Sequence, residues 1–244
     1  MVDRALIFGT EAEAYDRLRP GYPVDVVDLI VADDPELAVD AGCGTGIAAR
    51  QVIDRGVPVL GVEPDEAMAA VARSHGIETT VSSFEQWRPV PCDVVYAAQS
   101  WHWIDPTNGA RVAAAALRPG GRWIGCWNIE VDDTVGAIAR TAFERVAPEL
   151  VEDRVRSHVD DGFWNTIGQG LEAAGVFEAL DRHGVEWAES ISSERLVGRL
   201  DSHSAQRMLT ADRRRAVRES MRELLGDTRL DVRYRTEVMT ARRA

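Results

Sequence analysis

Residues 36–46 read ELAVDAGCGTG. An apolar run leads directly into three glycines at alternate positions and then into the helical stretch IAARQVIDRG, which closes on a glycine. A buried strand, a glycine turn and a helix in that order leave the chain few options. Glycine lets the backbone turn sharply and lets a ligand lie against bare peptide. The helix beyond starts with N–H groups that have no partner inside it. The rhythm then repeats: PVLGVEP is a second strand, DEAMAAVARSHG a helix with Asp65 as natural N-cap, residues 77–81 a short strand, and CDVVYAAQS a strongly apolar one. Strands alternating with helices predict an α/β domain built on a largely parallel sheet.

The rest of the chain fits around that frame. Residues 3–18 read as a polar helix, closed by the proline-stiffened Arg19-Pro20-Gly21-Tyr22-Pro23, and residues 24–32 as another helix. NGARVAAAALRPGG is helix and turn, and RWIGCWN is a tryptophan-rich strand. Residues 129–160 are charged and helical with no strand, an insertion over the sheet. FWNTIGQGLEAAG resumes as helix, ALDRHGVEWAES as strand, and residues 192–228 carry two more helices as a second insertion. DVRYRTEVMTARR alternates Val232, Tyr234, Thr236 and Val238 with polar neighbours, a half-buried last strand. The expected organisation is one domain over 1–244, with an N-terminal lid segment 1–23 and helical insertions 129–160 and 192–228.

Composition removes several chemistries. All 28 basic residues are arginine, so a pyridoxal Schiff base and a Walker-type phosphate loop are excluded. A net charge of −12 argues against nucleic acid, whose binding needs a basic face. No apolar run approaches the ~20 residues of a membrane span, and the first residues lack the order of a signal peptide. Cys43, Cys92 and Cys126 form neither a disulfide framework nor a zinc pattern, which fits a reduced, cytoplasmic setting without metal. The charge is divided: residues 207–244 hold 11 arginines and 6 acids, against 17 arginines and 34 acids before them. Nothing in the sequence sets an oligomeric state.

The glycine turn selects its ligand through two acids. Glu63 ends the second strand 17 residues after Gly46, where a carboxylate can accept hydrogen bonds from ribose hydroxyls. Asp40 stands two residues before the first glycine. The dinucleotide pattern G-x-G-x-x-G requires a glycine at 47, where this chain has Ile47. A pyrophosphate is repelled by a carboxylate at 40, whereas a ligand with an ammonium group is attracted. S-adenosylmethionine (SAM) carries both an ammonium and a ribose. A nicotinamide-dependent oxidoreductase and a ligand-free turn are the competing readings, with a non-enzymatic SAM-binding protein as a third.

With these residues the chain resembles the class I SAM-dependent methyltransferases, in the small-molecule branch that includes trans-aconitate methyltransferase-like proteins. VDAGCGTG is similar to their first motif, LGVEP to the second, VSSFEQW to the loop after the third strand, CDVVYAAQSWHW to the fourth strand, and LRPGGRWIGCWN to the turn and fifth strand. YDRLRPGYP resembles the branch's lid segment and YRTEVMTARR its last strand. The resemblance implies a Rossmann-like seven-stranded sheet in a three-layer α/β/α fold, with an antiparallel last strand and SAM at the strands' carboxyl ends.

The same resemblance implies residue roles. Asp40 and the turn Gly42, Cys43, Gly44, Thr45 and Gly46 hold the methionine end, and Glu63 the ribose. Pro64, Met68, Ser83, Phe84 and Glu85 surround the adenine, with Ser83 standing where many relatives have aspartate. Gln99 lies under the sulfonium, and Tyr15 closes over the cofactor. The acceptor side is drawn from Tyr22, Trp101, Trp103, His203 and Arg207, and His102 is the candidate general base. The expected reaction is methyl transfer to a small molecule, on a carboxylate or hydroxyl oxygen. An arginine clamp from the basic end suits a carboxylate.

Overall fold

The computed structural model describes residues 12–151, 161–201 and 209–244. Seven strands form one sheet in the order β3-β2-β1-β4-β5-β7-β6. These are β1 (Ala38–Ala41), β2 (Val59–Glu63), β3 (Glu78–Val81), β4 (Cys92–Ala98), β5 (Leu117–Glu130), β6 (Phe177–Ser192) and β7 (Arg229–Arg243). The first five run parallel. β7 lies antiparallel between β5 and β6, so the expected antiparallel last strand is present.

All four residues of β1 are buried, as befits a central strand covered on both faces. On one face, α2 (Val24–Val31) and α3 (Ile47–Ile53) pack Val26, Val27, Ile30, Ala49 and Val52 against Ala38, Val94, Tyr96 and Ile124. On the other, α5 (Pro106–Ala116) and α7 (Asp161–Ala173) meet Trp101, Trp123 and Trp127. Between β2 and β3 runs α4 (Glu66–Ser74), and Asp65 caps it as expected, its Oδ1 accepting from the N–H groups of Ala67 at 2.9 Å and Met68 at 3.1 Å. Because β1 pairs with β2 on one side and β4 on the other, the winding reverses beside β1. Open α/β sheets bind ligands in the crevice that this reversal opens at the strands' carboxyl ends.

The two insertions are not separate. α6 (Thr134–Val146) follows β5, while α8 (Ser193–Asp201) and α9 (Ala211–Leu225) lie between β6 and β7. β5 and β6 end, and β7 begins, at the same end of the sheet, so these helices emerge together. They share a third core, with Phe143 and Ala142 of α6, Leu196 and Val197 of α8, and Val217 and Met221 of α9 packed on Val232 and Tyr234 of β7. Sequence pattern shows each apolar face but not its partner.

The N-terminal α1 (Ala12–Leu18) is tied to this frame. Asp16 pairs with Arg50 at 2.9 Å and His75 at 3.0 Å. The carbonyl of Leu18 accepts from Arg199 Nε of α8 at 2.9 Å, a cation at a helix carboxyl end. Among the described residues no helix is long and apolar enough to cross a membrane.

Candidate active site

The glycine turn is built as a cradle. Gly42 and Cys43 spend their N–H groups on the Val62 carbonyl, at 2.8 and 3.1 Å, which fastens the turn to β2. Gly44 has a positive φ of 57°, and a Cβ there would meet only the Met68 Cε, at 3.4 Å. The bare backbone of Gly44 therefore faces open space beside a flexible thioether. The Cys43 sulfur turns away and packs against Gly61. Thr45 is buried with an unpartnered hydroxyl.

Two buried carboxyls stand beside the cradle. Asp40 is 1% exposed, and neither of its oxygens has a hydrogen-bond partner. Burial pushes its pKa up to about 8; the neighbouring Tyr96 hydroxyl eases the charge from outside hydrogen-bond geometry, and Glu63 adds like-charge repulsion. Glu63 accepts from the Gly44 N–H at 2.9 Å and the Asp65 N–H at 3.0 Å. Burial still dominates and raises it to about 7. A buried carboxylate with no partner is costly, and Asp40 has the form of half an ion pair. Both acids stand beside the glycine turn, and an ammonium is a partner that fits Asp40.

The loop after β3 departs from expectation in detail. Ser83 is half-buried, and its carbonyl accepts from the N–H groups of Gln86 and Trp87. Phe84 is 2% exposed, stacked on Trp87 at 5.7 Å and tilted against Trp101 at 5.8 Å. It anchors the loop in the core. The Glu85 carboxylate accepts from the Asp105 N–H at 2.8 Å, holding the start of α5. Met68 is buried and its Cε reaches toward Gly44, and Pro64, which follows β2, is half-buried.

At the end of β4, Gln99 has φ 61°, a left-handed conformation that costs a non-glycine residue roughly 1–2 kcal/mol. Two bonds hold it there: its N–H to the Cys126 carbonyl at 2.9 Å and its Nε2 to the Asn128 carbonyl at 3.2 Å. Ser100 donates to the Ala41 carbonyl and so ties the turn after β4 to the turn after β1.

Trp101, expected at the acceptor rim, is buried at 1% exposure, edge-on to Trp123 at 5.0 Å. A short 3₁₀ turn over Trp101–Trp103 points it inward and leaves Trp103 47% exposed. His102 Nδ1 accepts from the Trp127 indole N–H at 3.3 Å, which places the proton of a neutral ring on Nε2. His102 lines a cavity of ≈ 260 Å³ with Trp101, Ile104, Pro106, Gly162, Phe163, Thr166 and Ile167. None of the described residues that line it carries a charged side chain. Phe163 and Trp127 were not foreseen, since α7 reaches the end of β4 only through tertiary packing.

Tyr15 sits on α1 beneath the Arg19 guanidinium, 5.0 Å from ring centroid to cation. Tyr22 packs on the α2–α3 core. Its N–H donates to Gln51 Oε1 at 2.9 Å, and its carbonyl accepts from Gln51 Nε2 at 2.8 Å. His203 and Arg207 lie outside the described residues. The basic end proves to be paired: Arg213 with Glu149 at 2.5 Å, Arg222 with Glu194 at 2.8 Å, and Arg233 with Asp132 at 2.5 Å. These arginines do not form an open anion clamp.

Comparison with known proteins identifies the family. Residues 39–125 match the profile of a methyltransferase domain. An uncharacterized methyltransferase of Mycobacterium tuberculosis H37Rv is 30% identical over 232 residues, covering 92% of this chain and 87% of the relative. Trans-aconitate 2-methyltransferase of Mycobacterium ulcerans is 34% identical over 116 residues, 46% of this chain and 43% of its own. A proposed type II methyltransferase from Anaeromyxobacter dehalogenans superposes with a TM-score of 0.64 at 25% identity, covering 92% of this chain and 97% of its own. Phosphoethanolamine N-methyltransferase 2 of Haemonchus contortus, solved with SAM, shares the fold with a TM-score of 0.58 at 16% identity, over 99% of this chain and 59% of its own. None of these relatives supports a nicotinamide-dependent oxidoreductase.

Proposed function

The chain belongs to the class I SAM-dependent methyltransferases, and from that premise we propose that it methylates an acidic oxygen, hydroxyl or carboxyl, on a small acceptor with an apolar body. The observation that carries this reading is the uncharged cavity beside His102. An apolar body fits such a wall, and a carboxylate clamped by the basic end loses its support because those arginines are paired with acids.

SAM supplies an activated methyl group on a sulfonium. The protein's task is then to align, orient and keep water out. We assign Asp40 and the Gly42–Gly44 backbone to the methionine end, Glu63 to the ribose, and Pro64, Met68 and Ser83 to the adenine edge. Gln99, held in its strained conformation, shapes the floor under the reacting centre. Tyr22 and Trp103 bound the acceptor side. His102 serves as a hydrogen-bond donor: with Nδ1 engaged by Trp127, its Nε2–H stabilises an oxygen that is already ionised. A carboxylic acid, or a phenol acidified by electron-withdrawing groups, meets that requirement at neutral pH without a protein base, whereas an ordinary phenol, with a pKa of about 10, and an aliphatic amine do not.

The test is a panel of small phenols, carboxylic acids, alcohols and amines offered with methyl-labelled SAM. Turnover on the acidic O–H compounds, with rates that follow acceptor ionisation, supports the reading. Turnover confined to amines overturns it. The ribose assignment has its own check. Glu63→Ala is expected to weaken S-adenosylhomocysteine binding by at least about tenfold, the worth of a hydrogen bond to a charged group. Unchanged affinity by calorimetry would remove Glu63 from the site.

A further inference from the structure

Asn128 lies near the carboxyl end of β5, beyond Cys126, where the pairing of β5 with β4 ends. Its side chain reaches a segment 107 residues away in sequence: Nδ2 donates to the Gly21 carbonyl at 2.9 Å. Its Oδ1 accepts from the Thr236 hydroxyl at 2.6 Å, and the Thr236 oxygen in turn accepts from the Trp187 indole N–H at 2.8 Å. The relay crosses β6, β7 and β5 before it meets the N-terminal segment. Its direction is set by chemistry. An indole N–H can only donate, so Thr236 receives it and turns its single hydroxyl proton to Asn128. The amide then presents oxygen to Thr236 and nitrogen to Gly21, whose carbonyl can only accept. The source is fixed: Thr236 is fully buried, and Trp187 is stacked on Tyr234 at 4.7 Å. Bonds running in one direction polarise and strengthen one another.

The segment at the end of this relay runs beside the glycine cradle. Arg50 joins the two, donating from Nη2 to Asp16 Oδ1 at 2.9 Å and from Nη1 to the Thr45 carbonyl at 3.4 Å. Both backbone groups of Tyr22 are bonded to Gln51 of α3, the helix that leaves the cradle. A Cβ at Gly21 would stand 3.0 Å from Gln51 Oε1, so the chain lies close on that helix. Asn128 also serves the other wall, because its backbone carbonyl accepts from Gln99 Nε2 at 3.2 Å. We infer that Asn128 is a positioning residue for the cofactor site: its amide holds the N-terminal segment down beside the cradle while its carbonyl holds Gln99. The inference rests on the SAM assignment and adds to it a residue that touches neither the glycine turn nor Glu63.

The test pairs two near-isosteric variants. Asn128→Leu removes the bond to Gly21 and leaves the backbone carbonyl for Gln99. Thr236→Val keeps the bond to Gly21 but removes the donor that orients the amide. Hydrogen exchange read by mass spectrometry reports on the segment through the Arg19 N–H, which donates to the Tyr15 carbonyl at 3.0 Å, and the Tyr22 N–H. Calorimetry with S-adenosylhomocysteine reports on the site. Asn128→Leu is expected to speed exchange over residues 18–23 about tenfold, with β1 and β4 within about twofold of the parent, and to weaken S-adenosylhomocysteine about tenfold. Thr236→Val should show the same local pattern at about threefold. Exchange raised equally through β1 and β4 would make Asn128 a scaffold residue and overturn the inference. Unchanged exchange over 18–23 would overturn it too, as would faster exchange there with S-adenosylhomocysteine binding intact. In either of those cases a parent protein that binds S-adenosylhomocysteine keeps the SAM assignment standing, and the inference alone falls. A parent protein that did not bind it would bring down both.

Discussion

Replacing Asp40 by asparagine is expected to weaken S-adenosylhomocysteine binding by roughly a hundredfold, the loss of a buried charge-assisted contact, and to flatten the pH dependence of the empty protein's stability. The second effect follows from linkage. Asp40 has a folded pKa raised by burial to about 8, against an ordinary value of 3.8. Between those values the folded state holds a proton that the unfolded state has released. Stability is therefore fully present below the unfolded pKa and is lost as pH rises toward the folded one. Glu63, raised to about 7 from 4.5, acts in the same direction over a narrower window. Each such group contributes a fall of about 1.4 kcal/mol per pH unit inside its window. Urea unfolding at pH 5, 6, 7 and 8 should show the parent losing stability throughout. Asp40→Asn should lose about half as much between pH 5 and 7 and almost nothing from 7 to 8. Binding runs the opposite way. Asp40 must be ionised to meet an ammonium, so affinity in the parent should rise with pH up to about 8, by as much as tenfold per unit, and the variant should not follow. Parallel pH curves for the two proteins would mean that Asp40 faces no cation.

Gly46→Ala should be the most damaging single methyl group in the chain. Gly46 has φ 84°, and a Cβ there would stand 2.1 Å from the Cδ1 of Ile77, a side chain that is itself 2% exposed. The left-handed backbone costs roughly 1–2 kcal/mol for alanine, and overpacking a closed core adds about 1–3 kcal/mol. Against a typical total of about 5–15 kcal/mol, the shift in denaturation midpoint should be large. Gly44→Ala provides the contrast, because its Cβ would meet only the flexible Met68 Cε at 3.4 Å. It should cost about 1–2 kcal/mol of stability for its φ, yet weaken S-adenosylhomocysteine strongly by filling the cradle. If the two variants lost stability equally, the division between a packing glycine and a ligand glycine would be wrong.

The elements of the sheet were legible because they are local. Apolar runs, glycine turns and the cap at Asp65 mark their own boundaries, and the alternation of Val232, Tyr234, Thr236 and Val238 marks β7 without its partners. Asp40 and Glu63 were legible because their spacing from the glycines fixes them at strand ends. Pairing between distant elements was not. Trp101 and Trp103 are two residues apart in one motif, and only the 3₁₀ turn decides that one fills the core and the other faces water. The basic end left an arginine clamp open beside a plain solvated face because its acidic partners, Glu149, Glu194 and Asp132, come from elsewhere in the chain.

The proton count of cofactor binding tests the central claim most directly. At pH 7 a carboxyl with a pKa of about 8 is mostly protonated in the empty protein, and meeting an ammonium requires it to ionise. Calorimetric titration of S-adenosylhomocysteine in two buffers of different ionisation heat should therefore register about one proton released per ligand bound, with Glu63 able to add a fraction more. Binding with no proton released would contradict the account.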